Sequence, residues 1–327
     1  MKLLILDADG VFMDELPYWR TALAVALLRA GIEVRAGDWE QVGEAFIARR
    51  RVQRVTKGRG CNSNWDLAAV MSLVLEDAST RAAAVEAYAA GEYERMADVV
   101  IDAMEVLWKP PVADAHRLTG FGIDRRDDYF RSVVADFQPI FEAERDIGWA
   151  FDRHALLPPA EATRAALRRM ARMNLILGVC TSRNGEETIG PMAQLDVLKC
   201  FSRERIITND EVKRARRETG LHALAKPHWF PLACAMCGYE AALAALQSER
   251  KDLSNGEWLP AIYVGDTPAD FDAAVACRGV GLPVTYVHIN ARLCDEAVTR
   301  AIGEHEITML VADSLIELAG CLEEGGA

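Results

Sequence analysis

Residues 3–15 read LLILDADGVFMDE. Four apolar residues lead directly into Asp7 and Asp9, with Gly10 next and Asp14 near the end of the stretch. Carboxylates rarely follow a buried-looking run without compensation, because two like charges within ~4 Å repel by roughly 4 kcal/mol at an effective dielectric of ~20. Three other segments carry groups of matching chemistry: Thr181 after LILGVC, Lys226 in ALAKPHWF, and Asp266 and Asp270 in AIYVGDTPAD. A divalent cation would offset the repulsion. Hard oxygen ligands with positions left for water and phosphate favour Mg²⁺, and Gly10 supplies the backbone freedom for a sharp turn around it.

The elements that must position these groups are legible in the hydrophobic pattern. Residues 3–6 form a short apolar run typical of a buried parallel strand. From Pro17 to about Trp108 the pattern turns helical and rich in Ala, Leu and Glu, with no convincing strand. Pro110 and Pro111 break it, and RRDDYFRSVVADFQPIFEAERD resumes it. Beyond about residue 157 helices and strands alternate. PPAEATRAALRRMARMN starts as a helix with proline, followed by the strand LILGVCTS and the helix EETIGPMAQLDVL. FSRERIITND holds a short strand, and HWFPLACAMCGYEAALAALQSER reads as one long helix. The strand PAIYVGDT, the helix ADFDAAVACRG and a last strand PVTYVHIN complete the series.

Such alternation implies a parallel sheet covered on both faces. The first strand is parted from the others by ~140 mostly helical residues, too many for a loop, so they form an inserted domain. The expected fold is α/β, a Rossmann-like parallel-sheet core of residues 1–14 plus 157–327 with an all-α cap of residues 15–156. In open parallel sheets ligands bind beyond the carboxyl ends of the strands, where Asp7, Asp9, Thr181 and Asp266 all fall. Lys226 reaches the same edge from its loop.

Composition limits the function classes. The chain has 327 residues, 51% of them hydrophobic and 26% charged, with a formal net charge of -12. An acidic surface repels nucleic acid and anionic membranes, so neither is an expected partner. No stretch approaches the ~18 apolar residues of a membrane span, and the N-terminal run is too short for a signal sequence. Eight scattered cysteines read as reduced thiols, which makes cytoplasm the expected location.

The four segments together resemble the motifs of the haloacid dehalogenase superfamily: DADGVFMD, VCTSR, AKP and VGDTPAD, in the family's order. The position of the insertion resembles that family's helical C1 cap. The resemblance implies an enzyme in which Asp7 is the nucleophile, forming an aspartyl-phosphate, and Asp9 is the acid and base. It implies Mg²⁺ held by Asp7, the Asp9 carbonyl and Asp266, with Asp270 in support. Thr181 and Lys226 would bind the phosphoryl group, helped by backbone amides at Ser182 and Arg183. Neighbouring negative charge is expected to favour the protonated form of Asp9. An acid at that position points to phosphoesters, since dehalogenase members lack it. KPHWFPL lacks the second proline common after that lysine, and the cap exceeds a minimal four-helix one.

Within the cap, KGRGCNSNWDL (57–67) resembles the specificity segment of the phosphoglycolate-phosphatase-like branch. Asn62, Asn64, Trp65 and Asp66 are expected to meet a polar substrate, and Arg59 to attract its anionic end. A plainer reading makes Asn62 or Asn64 a helix cap and Trp65 a packing residue. The basic residues Arg49, Arg50, Arg51, Arg54 and Lys57 either steer anions or form a solvated helix face. Cys234 and Cys237, in an apolar helical pattern with no second pair, are core residues and no zinc site. His228, Trp229 and Phe230 read as structural.

The leading expectation is a Mg²⁺-dependent phosphatase acting on a small phosphorylated metabolite such as a sugar phosphate or phosphoglycolate. A phosphosugar mutase with the same intermediate is the nearest alternative, and a non-catalytic phospho-accepting or binding protein a more distant one. A homodimer is compatible with each.

Overall fold

The computed structural model describes residues 2–47, 52, 55–56, 63–108, 117–118, 121–149, 152–248, 252–289 and 309–324. It divides into two units, Met1–Asp14 with His154–Ala327, and Glu15–Arg153. The return point lies at His154, earlier than the prolines at 158–159 suggest, because the segments leaving and re-entering the first unit pair with each other. Asp14 N–H donates to the Ala155 carbonyl at 2.8 Å and Leu157 N–H to that of Phe12 at 3.0 Å. No helix among the described residues is long and apolar enough to cross a membrane.

The first unit is built on a six-stranded parallel sheet. Its strands are β1 (Lys2–Leu6), β2 (Leu175–Cys180), β3 (Ile206–Ile207), β4 (Ala261–Gly265), β5 (Val284–Ile289) and β6 (Met309–Ala312), in the order β3-β2-β1-β4-β5-β6. β1 is central, pairing with β2 from Lys2↔Leu175 to Leu6↔Val179 and with β4 from Leu3↔Ala261 to Leu6↔Val264. The winding reverses at this strand, which makes its carboxyl end the topological switch point.

Side chains alternate across the sheet. Leu3, Ile5, Tyr263 and Tyr286 face a core completed by Phe230, Leu232, Phe271 and Ala274, from the helices Phe230–Cys237 and Pro268–Gly279. Leu4, Leu6, Val264 and Val287 face the other core, closed by Leu167 and Met170 of helix Ala160–Met170 and by Leu315 and Leu318 of helix Leu315–Glu324. Burial on both faces explains why β1 is an unbroken apolar run.

The second unit is helical, with Leu16–Arg29, Trp39–Ile47, Asn64–Glu76, Ala78–Ala89, Tyr93–Leu107 and Asp128–Phe141 around a core of its own. Helix Leu16–Arg29 buries Ala22, Ala24 and Ala26 and packs on helix Asn64–Glu76, which buries Ala68 and Ala69; the small side chains let the two backbones approach closely. Trp39 and Trp149 stack with centroids 4.9 Å apart. Gly43 makes room for that stack, since a Cβ there would lie 2.6 Å from the Trp149 ring.

Several elements depart from the pattern-based expectation, the helices Asn209–Thr219 and Leu315–Glu324 among them. The long helix from residue 228 breaks at Gly238, whose φ of +89° ends Phe230–Cys237 before Tyr239–Gln247 begins. A short antiparallel ribbon, Arg117–Leu118 with Ile123–Asp124, lies in the otherwise helical unit. The edge strand β6 was not expected, because four residues carry too little periodicity to stand out.

Ile5 is fully buried between Gly178 and Tyr263 of the flanking strands. Ile5→Ala should destabilise the sheet unit by ~2–5 kcal/mol, seen as a lower urea midpoint for that unit's transition with an unchanged slope. An unchanged midpoint would contradict the central place given to β1.

Candidate active site

The sheet register carries Asp7 to the end of β1, where its N–H donates to the Val264 carbonyl at 2.8 Å. The chain then folds into a tight loop in which the Ala8 carbonyl accepts from Phe12 and Met13 at 3.1 and 2.9 Å. Gly10 turns that loop with φ +72° and lies against Asp266, so closely that a Cβ would fall 2.1 Å from Asp266 Oδ2. Asp266 follows β4 directly. The hydroxyl of Thr267 then caps helix Pro268–Gly279, with Asp270 completing a reciprocal capping box. Thr181 follows β2, its N–H donating to the Ile207 carbonyl at 3.0 Å. Local sequence explains each placement: an apolar strand ends, and a polar turn or helix start takes over.

Lys226 is the charge around which these groups gather. Its Nζ lies 3.0 Å from Asp7 Oδ1 and 2.7 Å from Asp270 Oδ1, with 7% of the side chain exposed. It also donates to the Cys180 carbonyl and approaches the Tyr263 hydroxyl, both at 3.3 Å. Burial works against its charge, but Asp270 and Asp7 outweigh that and hold the ammonium above lysine's ordinary value. Carboxylate oxygens of Asp7, Asp266 and Asp270 lie within 4.8 Å of one another.

The four aspartates expected around a metal have distinct surroundings. Asp270 is fully buried and already saturated: Oδ1 accepts from Tyr263 at 2.6 Å and Lys226 at 2.7 Å, and Oδ2 from the Thr267 hydroxyl at 2.5 Å and N–H at 3.2 Å. Its burial pushes the pKa up, yet Lys226 and these hydrogen bonds bring it below the usual carboxylate value. Asp270 therefore orients Lys226 and caps a helix, and its geometry leaves no lone pair for an ion.

Asp7 is the reverse case. Burial, chiefly, pushes its pKa up to about 8; Lys226 opposes the rise, while Asp270, Asp266 and Asp9 add to it. No hydrogen-bond donor among the described residues is aligned on its Oδ1. A nucleophilic carboxylate here needs more positive charge than Lys226 supplies, and the Asp7–Asp266 pair offers hard oxygen ligands for a divalent ion. The donor set fits Mg²⁺.

Asp9 was expected to sit among like charges. Its immediate partner is instead a cation: Arg183 donates from Nε to Oδ2 at 2.9 Å and from Nη2 to Oδ1. The main-chain N–H of Arg183 donates to the Thr181 hydroxyl at 3.2 Å, while Ser182 is exposed. The Arg183 guanidinium and the Tyr263 hydroxyl are the site groups that sequence reasoning missed. Arg183 stands two residues after Thr181 and Tyr263 three before Asp266, but neither spacing is itself a signal.

In the helical unit, Ser63 caps helix Asn64–Glu76, accepting from the Asp66 N–H at 3.1 Å. Asp66 is fully buried and accepts a two-point grip from Arg125 at 3.0 and 2.5 Å. A carboxylate so enclosed and paired secures the helix start rather than a passing solute. Trp65 packs partly buried against that unit's core, and Asn64 is half-buried in the first helical turn. Arg59, Asn62, Arg49, Arg50, Arg51, Arg54 and Lys57 lie outside the described residues.

Cys234 is buried in the sheet unit's core, where burial raises its thiol pKa. Burial also pushes the Cys237 thiol up to about 11, so neither is poised to ligate metal. His228 accepts from the Phe230 N–H at 3.1 Å, and Trp229 and Phe230 belong to the core.

No protein-family model matches the chain, and no curated protein matches it by sequence. Solved structures do. A structural-genomics target is 18% identical over 99% of both chains, with a TM-score of 0.63. A conserved haloacid dehalogenase-like protein from Agrobacterium tumefaciens is 11% identical over 100% of both, with a TM-score of 0.46. A candidate phosphoglycolate phosphatase from Lactobacillus plantarum is 13% identical over 98% of both, with a TM-score of 0.43. At 18% identity the first likeness is one of fold alone.

With its pKa raised from 3.8 to about 8, folded Asp7 keeps a proton that the unfolded chain releases between those values. Stability is therefore lost as pH rises through that window. Asp7→Asn in EDTA should melt several degrees above the native protein at pH 7.5 and close to it at pH 4.5. A melting temperature lowered at pH 7.5 would contradict the electrostatics assigned to the site.

Proposed function

We propose that the chain is a phosphatase of the haloacid dehalogenase superfamily, hydrolysing a small phosphomonoester through an aspartyl-phosphate. The observation that carries this reading is the gathering of Asp7, Lys226 and Asp266 beyond the central strand, with Asp9 on the adjoining loop. Asp7 attacks phosphorus through a carboxylate oxygen as the bond to the leaving oxygen breaks, and Asp9 gives that oxygen a proton. Water then attacks the phosphorus, Asp9 takes its proton, and the bond to Asp7 breaks to release phosphate. Lys226 offsets part of the cost of ionising Asp7 and balances charge on the phosphoryl oxygens. The Thr181 hydroxyl, whose oxygen accepts from Arg183 N–H, retains its own proton to donate to that group.

Asp7, Asp266 and the Asp9 carbonyl would hold Mg²⁺. The ion would supply charge neutralisation and orient the phosphoryl group. Asp270 serves at one remove, by fixing Lys226. Sugar phosphates and phosphoglycolate are the substrate class proposed, with the residue 57–67 segment as the region to vary for specificity. The acid at Asp9 favours a phosphoester over a haloacid, because a halide leaves without a proton.

Phosphate release from p-nitrophenyl phosphate and from a panel of phosphorylated metabolites tests this reading. Asp7→Asn should lower kcat by about 10⁴-fold or more, and Asp9→Asn by roughly 10²–10⁴-fold. EDTA should stop turnover and added Mg²⁺ restore it. Activity retained in Asp7→Asn would exclude the covalent route, and isomer formation from a hexose 1-phosphate would redirect the reading to a mutase.

A further inference from the structure

We infer that Arg183 is a positioning residue for the acid–base step, a rigid two-point clamp that sets the orientation of the Asp9 carboxylate. The inference rests on the role proposed above for Asp9.

Asp9 needs such a clamp. Its side chain is 26% exposed and sits on a tight loop, so its torsions are otherwise free to turn the carboxylate towards water. Arg183 is built to resist this. Its side chain is 4% exposed. Its carbonyl accepts from the Asn209 N–H at 2.8 Å, and Nη1 donates to the Glu187 carbonyl, in helix Glu186–Gln194, at 3.2 Å. The main chain of Arg183 is thus tied to the segment that follows β3, and its guanidinium to the one that follows β2, before it reaches Asp9. Nε and Nη2 then meet the two carboxylate oxygens separately. A planar fork that engages both oxygens fixes the carboxylate plane as well as its position, and leaves the lone pairs that face away from the guanidinium to carry the proton given in the first step and taken in the second. A lysine offers a point charge and cannot do the same.

The main-chain N–H of Arg183 also donates to the Thr181 hydroxyl. One short turn thereby fixes both the proposed phosphoryl-binding group and the proposed proton carrier.

Positioning makes a prediction that stability does not. Proton delivery matters most for a poor leaving group and little for a good one. In the full chain with Mg²⁺, Arg183→Lys, which keeps the buried positive charge, and Arg183→Met should be compared with the native protein on phenyl phosphate and p-nitrophenyl phosphate. Both variants should lose about 10²-fold in kcat on phenyl phosphate and less than about 10-fold on p-nitrophenyl phosphate, with KM nearly unchanged. Equal losses on the two esters, or full rescue by lysine, would overturn the clamp. A crystal structure of Arg183→Lys gives an answer independent of activity: the Asp9 carboxylate should leave its native orientation, and an unmoved carboxylate would overturn the inference. A native protein inert towards every ester would instead sink the phosphatase reading, with the crystallographic comparison still deciding the clamp.

Discussion

A single buried ammonium holds the site together. Lys226 lies between Asp7 and Asp270 with almost no access to water, and either carboxylate without it would be an uncompensated buried charge. Lys226, Tyr263 and Thr267 together satisfy Asp270 fully, whereas Asp7 is satisfied only in part. That asymmetry is the basis of the proposed chemistry. A carboxylate fully neutralised by its neighbours makes a poor nucleophile, whereas one whose burial still drives its pKa up to about 8 draws in further positive charge.

The four aspartates illustrate how surroundings assign work to identical side chains. Asp270 accepts from a lysine, a tyrosine and a threonine and becomes part of the scaffold. Asp9 is gripped by a guanidinium on a partly exposed loop. Asp266 is held close to the main chain at Gly10, where any larger residue would collide with it. Asp7 alone ends the central strand with limited hydrogen bonding and a lysine at 3.0 Å. The same contrast appears in the helical unit, where Arg125 occupies both oxygens of Asp66. Fully buried as well as paired, unlike the partly exposed Asp9, that carboxylate supports structure.

The sheet supplies the rigidity this arrangement needs. β1 is bonded on both sides and buried on both faces, so the backbone bearing Asp7 has little freedom to move. Thr181 and Asp266 leave the two neighbouring strands at matching depth, Cys180 and Gly265 being the last residues of β2 and β4. Sites carried on strand ends hold their geometry better than sites carried on free loops.

Much of the architecture was legible along the chain because its causes are local. The apolar run before Asp7 predicts a strand from residues 3–6 alone, and the alternation after residue 157 predicts the parallel sheet. Asp7, Thr181 and Asp266 each stand directly after such a run, so their shared edge follows from strand direction. What tertiary structure decided were pairings between residues far apart: Arg183 with Asp9, Arg125 with Asp66, and Lys226 and Tyr263 with Asp270. No local pattern encodes these, because an aspartate that binds an ion, caps a helix or accepts from an arginine is the same residue until the fold supplies its neighbours.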